Sequence, residues 1–168
     1  QGGYENIYAF EPDPKNCKTL QEFVDKKHLN NVKIFDVAVG KEKGTAYFET
    51  GNTENASSKL SDSVNSAANV YTRSRIEVKV DSIDNLLYDK KVSLIKMDIE
   101  GAETAALDGA VNVIKKQRPK LAICIYHSDE DMINLPLKIK NMVEGDYKFY
   151  VRHYSDTWIE TVLYAIPV

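Results

Sequence analysis

Three carboxylates crowd one short stretch of this chain. Asp98, Glu100 and Glu103 stand around Gly101, directly after the apolar run Val92–Met97. Carboxylates that close repel one another unless a cation, hydrogen-bond donors or a ligand stabilise them. In open α/β sheets, ligands bind at the carboxyl ends of the strands. The apolar run therefore reads as scaffold, and the acidic turn after it as the candidate site. Asp98 can bind a cationic ligand group, hold a metal or act as a base. Gly101 permits a positive φ or a close ligand approach. The three anions cannot all share one dry pocket, so at least one faces solvent, caps a helix or pairs with a lysine such as Lys96. Glu103 fits the structural role, as a first-turn acid.

His127 follows a second apolar run, Leu121–Tyr126, so it is expected beside Asp98. An imidazole there suits a general base or a metal ligand. Asp129 and Asp131 either orient it or cap the next helix. Glu11-Pro12 ends the short strand at Ile7–Phe10; a carboxylate there can accept both hydroxyls of a ribose, or Glu11 and Asp13 simply cap the helix that follows. Asp36 ends another strand and can accept from an adenine amino group, with Val37 or Ala38 offering a backbone N–H; the alternative is an exposed residue before a turn. Tyr126, Tyr154 and Trp158 are pocket or core aromatics, and His28 and His153 are surface or core residues. Asn55-Ala-Ser57 matches a glycosylation sequon, a motif that also occurs by chance.

These residues need elements to hold them. Asp13 and Pro14 suit the start of a helix over 14–28, with Leu20, Phe23 and Val24 at helical spacing. Strands are predicted at 32–39, 45–49 and 75–80, the last two pairing as an antiparallel flap around a long polar loop, 51–69. A short helix opens at Asp81 or Ser82 and runs through Leu87. A single helix is predicted over 103–115, ended by Arg118-Pro119. Leu121–Tyr126 is apolar throughout, as in a strand covered on both faces. Residues 131–143 form a helix kinked at Pro136, and 147–154 and 161–166 a terminal antiparallel pair. The alternation indicates one domain, a doubly wound α/β sheet.

The chain of 168 residues is 43% hydrophobic and 28% charged, with a formal net charge of −3, an ordinary globular composition. That charge argues against a nucleic-acid surface. No apolar run approaches the length of a membrane span, about 18 residues. Cys17 and Cys124 form no CxxC and read as free thiols, which fits a reducing, cytoplasmic setting.

Taken together, Tyr8-Ala-Phe-Glu-Pro-Asp-Pro14, Asp36-Val-Ala-Val-Gly40, Ile95-Lys-Met-Asp-Ile-Glu-Gly-Ala-Glu103 and Tyr126-His127 resemble the FkbM family of S-adenosylmethionine-dependent methyltransferases. The resemblance implies a Rossmann-like methyltransferase sheet with a C-terminal antiparallel hairpin, and O-methylation of a hydroxyl on a sugar or natural-product-like small molecule. It implies that Glu11 and Pro12 meet the ribose of the methyl donor, that Asp36, Val37 and Ala38 lie against adenine, and that Asp98 sits near the donor's methionine part. Glu100, Glu103 and Tyr126 would face the substrate, with His127 and Asp98 as catalytic residues. The family's glycine-rich donor loop and first strand are not found: only Gln1-Gly2-Gly3 precedes Tyr4. The chain thus reads as an N-terminally truncated form, its sheet closed by direct strand pairing or by exchange in a homodimer. Two rival readings follow: a magnesium- or manganese-dependent enzyme using Asp98, Glu100 and His127, and a non-catalytic binding or assembly module that keeps the fold.

Overall fold

The computed structural model describes residues 3–50, 59–61, 74–143, 147–157 and 159–168. Its contacts divide the chain into two compact units, residues 1–39 with 43–81 and residues 40–42 with 82–168. The sequon, nearly all of the polar loop 51–69 and Trp158 lie outside the described residues.

In the first unit, β1 (Ile7–Phe10) and β2 (Val32–Phe35) pair in parallel around α1 (Pro14–Lys26). Asp13 caps α1 as expected, its carboxylate accepting from the Lys15 N–H at 2.8 Å. Val24 is the buried residue of this helix. The predicted strand 32–39 bends at Asp36–Val37 and divides between two sheets. Its second part, β3 (Ala38–Val39), pairs in parallel with β6 (Ser74–Asp81). β4 (Gly44–Thr50) pairs antiparallel with β6 and with β5 (Lys59–Ser61), so the flap forms in the order β3-β6-β4-β5.

The second unit holds α2 (Ile83–Leu86), β7 (Leu94–Met97), α3 (Glu103–Asp108), α4 (Val111–Gln117), β8 (Lys120–Cys124), α5 (Asp131–Met142), β9 (Tyr147–His153) and β10 (Thr161–Pro167). The sheet order is β7-β8-β10-β9, with β7 and β8 parallel and β9 and β10 the expected terminal antiparallel pair. This mixed α/β architecture is the fold class the strand–helix alternation implied. β1 and β7 belong to different sheets.

One further detail differs from the sequence reading. The helix over 103–115 is broken into α3 and α4. Asp84, on α2, accepts from the backbone N–H groups of Asn112 and Val113 at 2.9 and 2.7 Å, capping α4 from outside. Gly109, at the break, lies where a Cβ would run into the carbonyl oxygen of Gly40. β7 alternates, with Ile95 and Met97 buried and Leu94 and Lys96 exposed. The buried face, continued by Leu121, Ile123, Leu163 and Ala165, joins Leu107, Ile114, Leu135 and Ile139 of the helices in this unit's core.

Candidate functional site

The chemistry-bearing residues of the second unit gather where β7 and β8 end. After Met97 the chain makes a tight turn through Glu100 (φ 57°) and Gly101 (φ 94°), both in the left-handed region. Such backbone is easy for glycine but strained for glutamate, and strain of this kind clusters at functional sites. The turn returns Glu103 beneath Ile99, whose N–H donates to Glu103 Oε1 at 2.9 Å. Because β8 lies parallel beside β7, Tyr126 and His127 arrive at the same edge.

Asp98 is the most engaged carboxylate. Tyr126 Oη donates to Asp98 Oδ1 at 3.0 Å, and Lys96 Nζ donates to Oδ2 at 3.3 Å. Partial burial opposes its charge, but donors from Cys124, Lys96 and Tyr126 outweigh it and hold the Asp98 carboxyl below its usual range. The same carboxylate works against its neighbours' ionisation. Burial, then Asp98, pushes the Cys124 thiol up to about 12, and burial and the Asp98 hydrogen bond raise Tyr126. Cys124 is therefore a poor nucleophile at neutral pH.

His127 has a 6% exposed side chain surrounded by acids. Its Nδ1 is 3.0 Å from Glu103 Oε1, and its Nε2 is 3.5 Å from Asp98 Oδ1 and 3.8 Å from Glu100 Oε2. The Tyr126 ring lies 4.3 Å away, tilted by 40°. The Glu103 contact has the distance of a hydrogen bond but not its direction, so both ring nitrogens and Glu103 Oε2 lack an aligned partner. It is best described as a buried charge pair. Burial disfavours the imidazolium, yet Glu103 first, then Glu100 and Asp98, raise the His127 pKa above its ordinary value. Glu103, only 1% exposed, is likewise penalised by burial but held below its usual range by His127 and by backbone donors.

The fold thus assembles the neighbourhood expected of Asp98, Glu100, Glu103, Tyr126 and His127, with Lys96 on Asp98. Glu103 stands in the first turn of α3, as its structural role implied, with its side chain buried. Asp129 and Asp131 do not orient His127: Asp131 accepts from the Ser128 N–H at 3.0 Å in the first turn of α5, and Glu103 faces the imidazole instead. Sequence spacing holds a signal for that pairing, since Glu103 opens the helix after the strand beside His127. Cys124 is a neighbour of Asp98 that sequence reasoning missed, although it sits two residues before Tyr126. No group of three or more His, Cys, Asp or Glu side chains among the described residues is arranged to hold a metal ion.

The remaining candidates belong to the first unit. Glu11 donates its N–H to Phe35 O at 3.1 Å, fixing it beside the end of β2, and its Oε1 accepts from the Asp13 N–H at 2.8 Å. Pro12 links that carboxylate to the α1 cap. Asp36 is exposed and paired with Lys79 at 3.0 Å, which lowers its pKa. Val37 and Ala38 are buried, Ala38 packing with Val78. In the second unit, Tyr154 shares a 2.9 Å hydroxyl contact with Tyr164, and His153 Nδ1 lies 2.8 Å from Thr161 Oγ1.

The second unit thus sets an acid–imidazole cluster at the carboxyl ends of two adjacent parallel strands, where open α/β sheets bind ligands. The model of the methyltransferase FkbM domain matches residues 1–154, so the chain belongs to that family. The crystal structure of methyltransferase FkbM from Methylobacillus flagellatus KT superposes with a TM-score of 0.74 at 27% identity. The alignment covers 98% of this chain but 37% of that one, so the chain spans well under half of that protein. No protein of curated function matches. No described helix is long and apolar enough to cross a membrane.

Proposed function

We propose that this chain carries the site of an S-adenosylmethionine-dependent methyltransferase acting on a hydroxyl of a small polyhydroxylated molecule. The observation that carries the reading is the approach of His127 Nε2 to Asp98 Oδ1, at 3.5 Å, at the carboxyl ends of two adjacent parallel strands. Membership of the FkbM family supports the donor.

Methyl transfer is a displacement at a sulfonium carbon. The donor supplies an activated methyl group; the protein must align acceptor, methyl and sulfur and accept the hydroxyl proton. Asp98, kept ionised, suits a ligand ammonium. The Lys96 Nζ it holds now is 63% exposed, and an exposed pair of this kind is weak enough for a ligand cation to replace. In its neutral form His127 Nε2 is a proton acceptor 3.5 Å from Asp98 Oδ1. Its raised pKa means that the neutral form appears at higher pH than for an ordinary histidine, so turnover should rise with pH through the His127 titration.

The test is methyl transfer by the complete protein to a panel of polyhydroxylated acceptors. In His127→Gln, turnover should fall by ~10²–10⁴-fold, the range for loss of a general base, with donor affinity changed by less than about threefold. Turnover equal to wild type in a folded variant would exclude His127 as the base.

A further inference from the structure

We propose that Glu103 is the positioning residue of this site: buried beside Nδ1, it fixes the orientation and tautomer of His127 and leaves Nε2 as the only ring nitrogen that exchanges protons. The proposal rests on the reading of His127 as the basic group, and extends it to a buried residue that would act through the ring.

The geometry has three parts. Glu103 is itself immobilised: it opens α3, its side chain is 1% exposed, and its Oε1 is fixed by the Ile99 N–H at 2.9 Å. The same oxygen lies 3.0 Å from His127 Nδ1. A bare Nδ1 there would press its lone pair against a buried carboxylate, so the neutral ring must keep its proton on Nδ1. That requirement is electrostatic and does not depend on an ideal hydrogen-bond angle. Ring rotation is also opposed. A half-turn of the ring would replace Nδ1 beside Glu103 by the Cδ2 carbon and forfeit the 3.0 Å contact, and the Tyr126 ring lies against the imidazole at 4.3 Å.

The division of labour is that of an acid–imidazole pair in which the acid holds the ring and the far nitrogen moves the proton. The charges that face the ring are Glu103, from α3, and Asp98 and Glu100, from the turn before it. Lys96 lies on the far oxygen of Asp98. Glu103 Oε2 has no aligned partner, which leaves this carboxylate short of donors and favours keeping its proton-bearing neighbour.

Multiple-bond nitrogen–proton NMR on the whole chain reads the tautomer directly, and His28 and His153 serve as internal references. In the wild-type protein above the His127 titration, Nδ1 should carry the proton and Nε2 should be bare. The opposite tautomer overturns the proposal, and that measurement needs no variant. In Glu103→Gln, which preserves shape and removes the charge, the His127 midpoint should move down, and turnover should fall by ~10²–10⁴-fold with KM changed far less. An unmoved midpoint in folded Glu103→Gln also overturns it. The NMR result does not require methyl transfer. A correct tautomer in a chain that transfers no methyl group therefore upholds the positioning role and refutes only the reaction.

Discussion

At the residue scale, the site is organised by charge compensation around His127. Burying one carboxylate and one imidazole is tolerable only because each stabilises the other's charged form. This has a consequence for stability against pH. The His127 pKa is raised from 6.5, so its contribution is complete below that value and is lost as pH rises through the folded-state value. Glu103 is lowered from 4.5, so its contribution is present above that value and is lost as pH falls through its folded value. The pair should therefore stabilise the fold most between those limits. Unfolding free energies from urea titrations across pH should show wild type exceeding His127→Gln by about 3 kcal/mol near pH 6, the low end of the cost of breaking a buried pair. The gap should narrow toward alkaline pH, and a gap that widens there would contradict the pairing.

Much of this neighbourhood is legible in the sequence. Asp98, Glu100 and Glu103 fall in one turn, and His127 follows the next apolar run. Which group faces which is not legible there. Asp129 and Asp131 are nearer to His127 along the chain, but the helical start of α5 claims Asp131. Glu103 reaches the ring because β7 and β8 are neighbours, a relation set by the sheet.

At the element scale, the divided helix shows where tertiary contacts override periodicity. The apolar spacing of 103–115 continues through the break, so pattern alone predicts one helix. The break is imposed by Asp84, which claims the first N–H groups of α4, and by the close approach of Gly40 to Gly109. Asp84→Ala should cost about 0.5–2 kcal/mol, as loss of an N-cap does. Gly109→Ala should cost about 1–3 kcal/mol as an overpacking change. Thermal denaturation compares them with Asp36→Asn, which loses only an exposed pair with Lys79 and should cost at most about 1 kcal/mol. If Asp36→Asn were the most damaging of the three, the assignment of the break to Asp84 and Gly109 would fail. The division of 32–39 at Asp36–Val37 is hidden from pattern for a similar reason: its two halves serve different sheets.

At the scale of the whole molecule, the α/β class follows from strand–helix alternation, and the antiparallel end from the two runs around Ser155-Asp156. Leu121–Tyr126 is buried on one face through Leu121, Ile123 and Ile125, and on the other Cys124 is buried with Ala122 and Tyr126 half-buried, as its unbroken apolar run implied. The residues assigned to the donor by family resemblance fall in the first compact unit, except Asp98, whereas the acid–imidazole cluster falls in the second. Each can be tested through its own residues. The most direct test of the central claim is calorimetric titration of the complete protein with S-adenosylhomocysteine, in wild type and in Asp98→Asn. Wild type should bind one-to-one, and Asp98→Asn should lose roughly tenfold or more in affinity, as a charge-assisted contact to the ligand ammonium is removed. No binding by wild type, or equal binding by both, would contradict it.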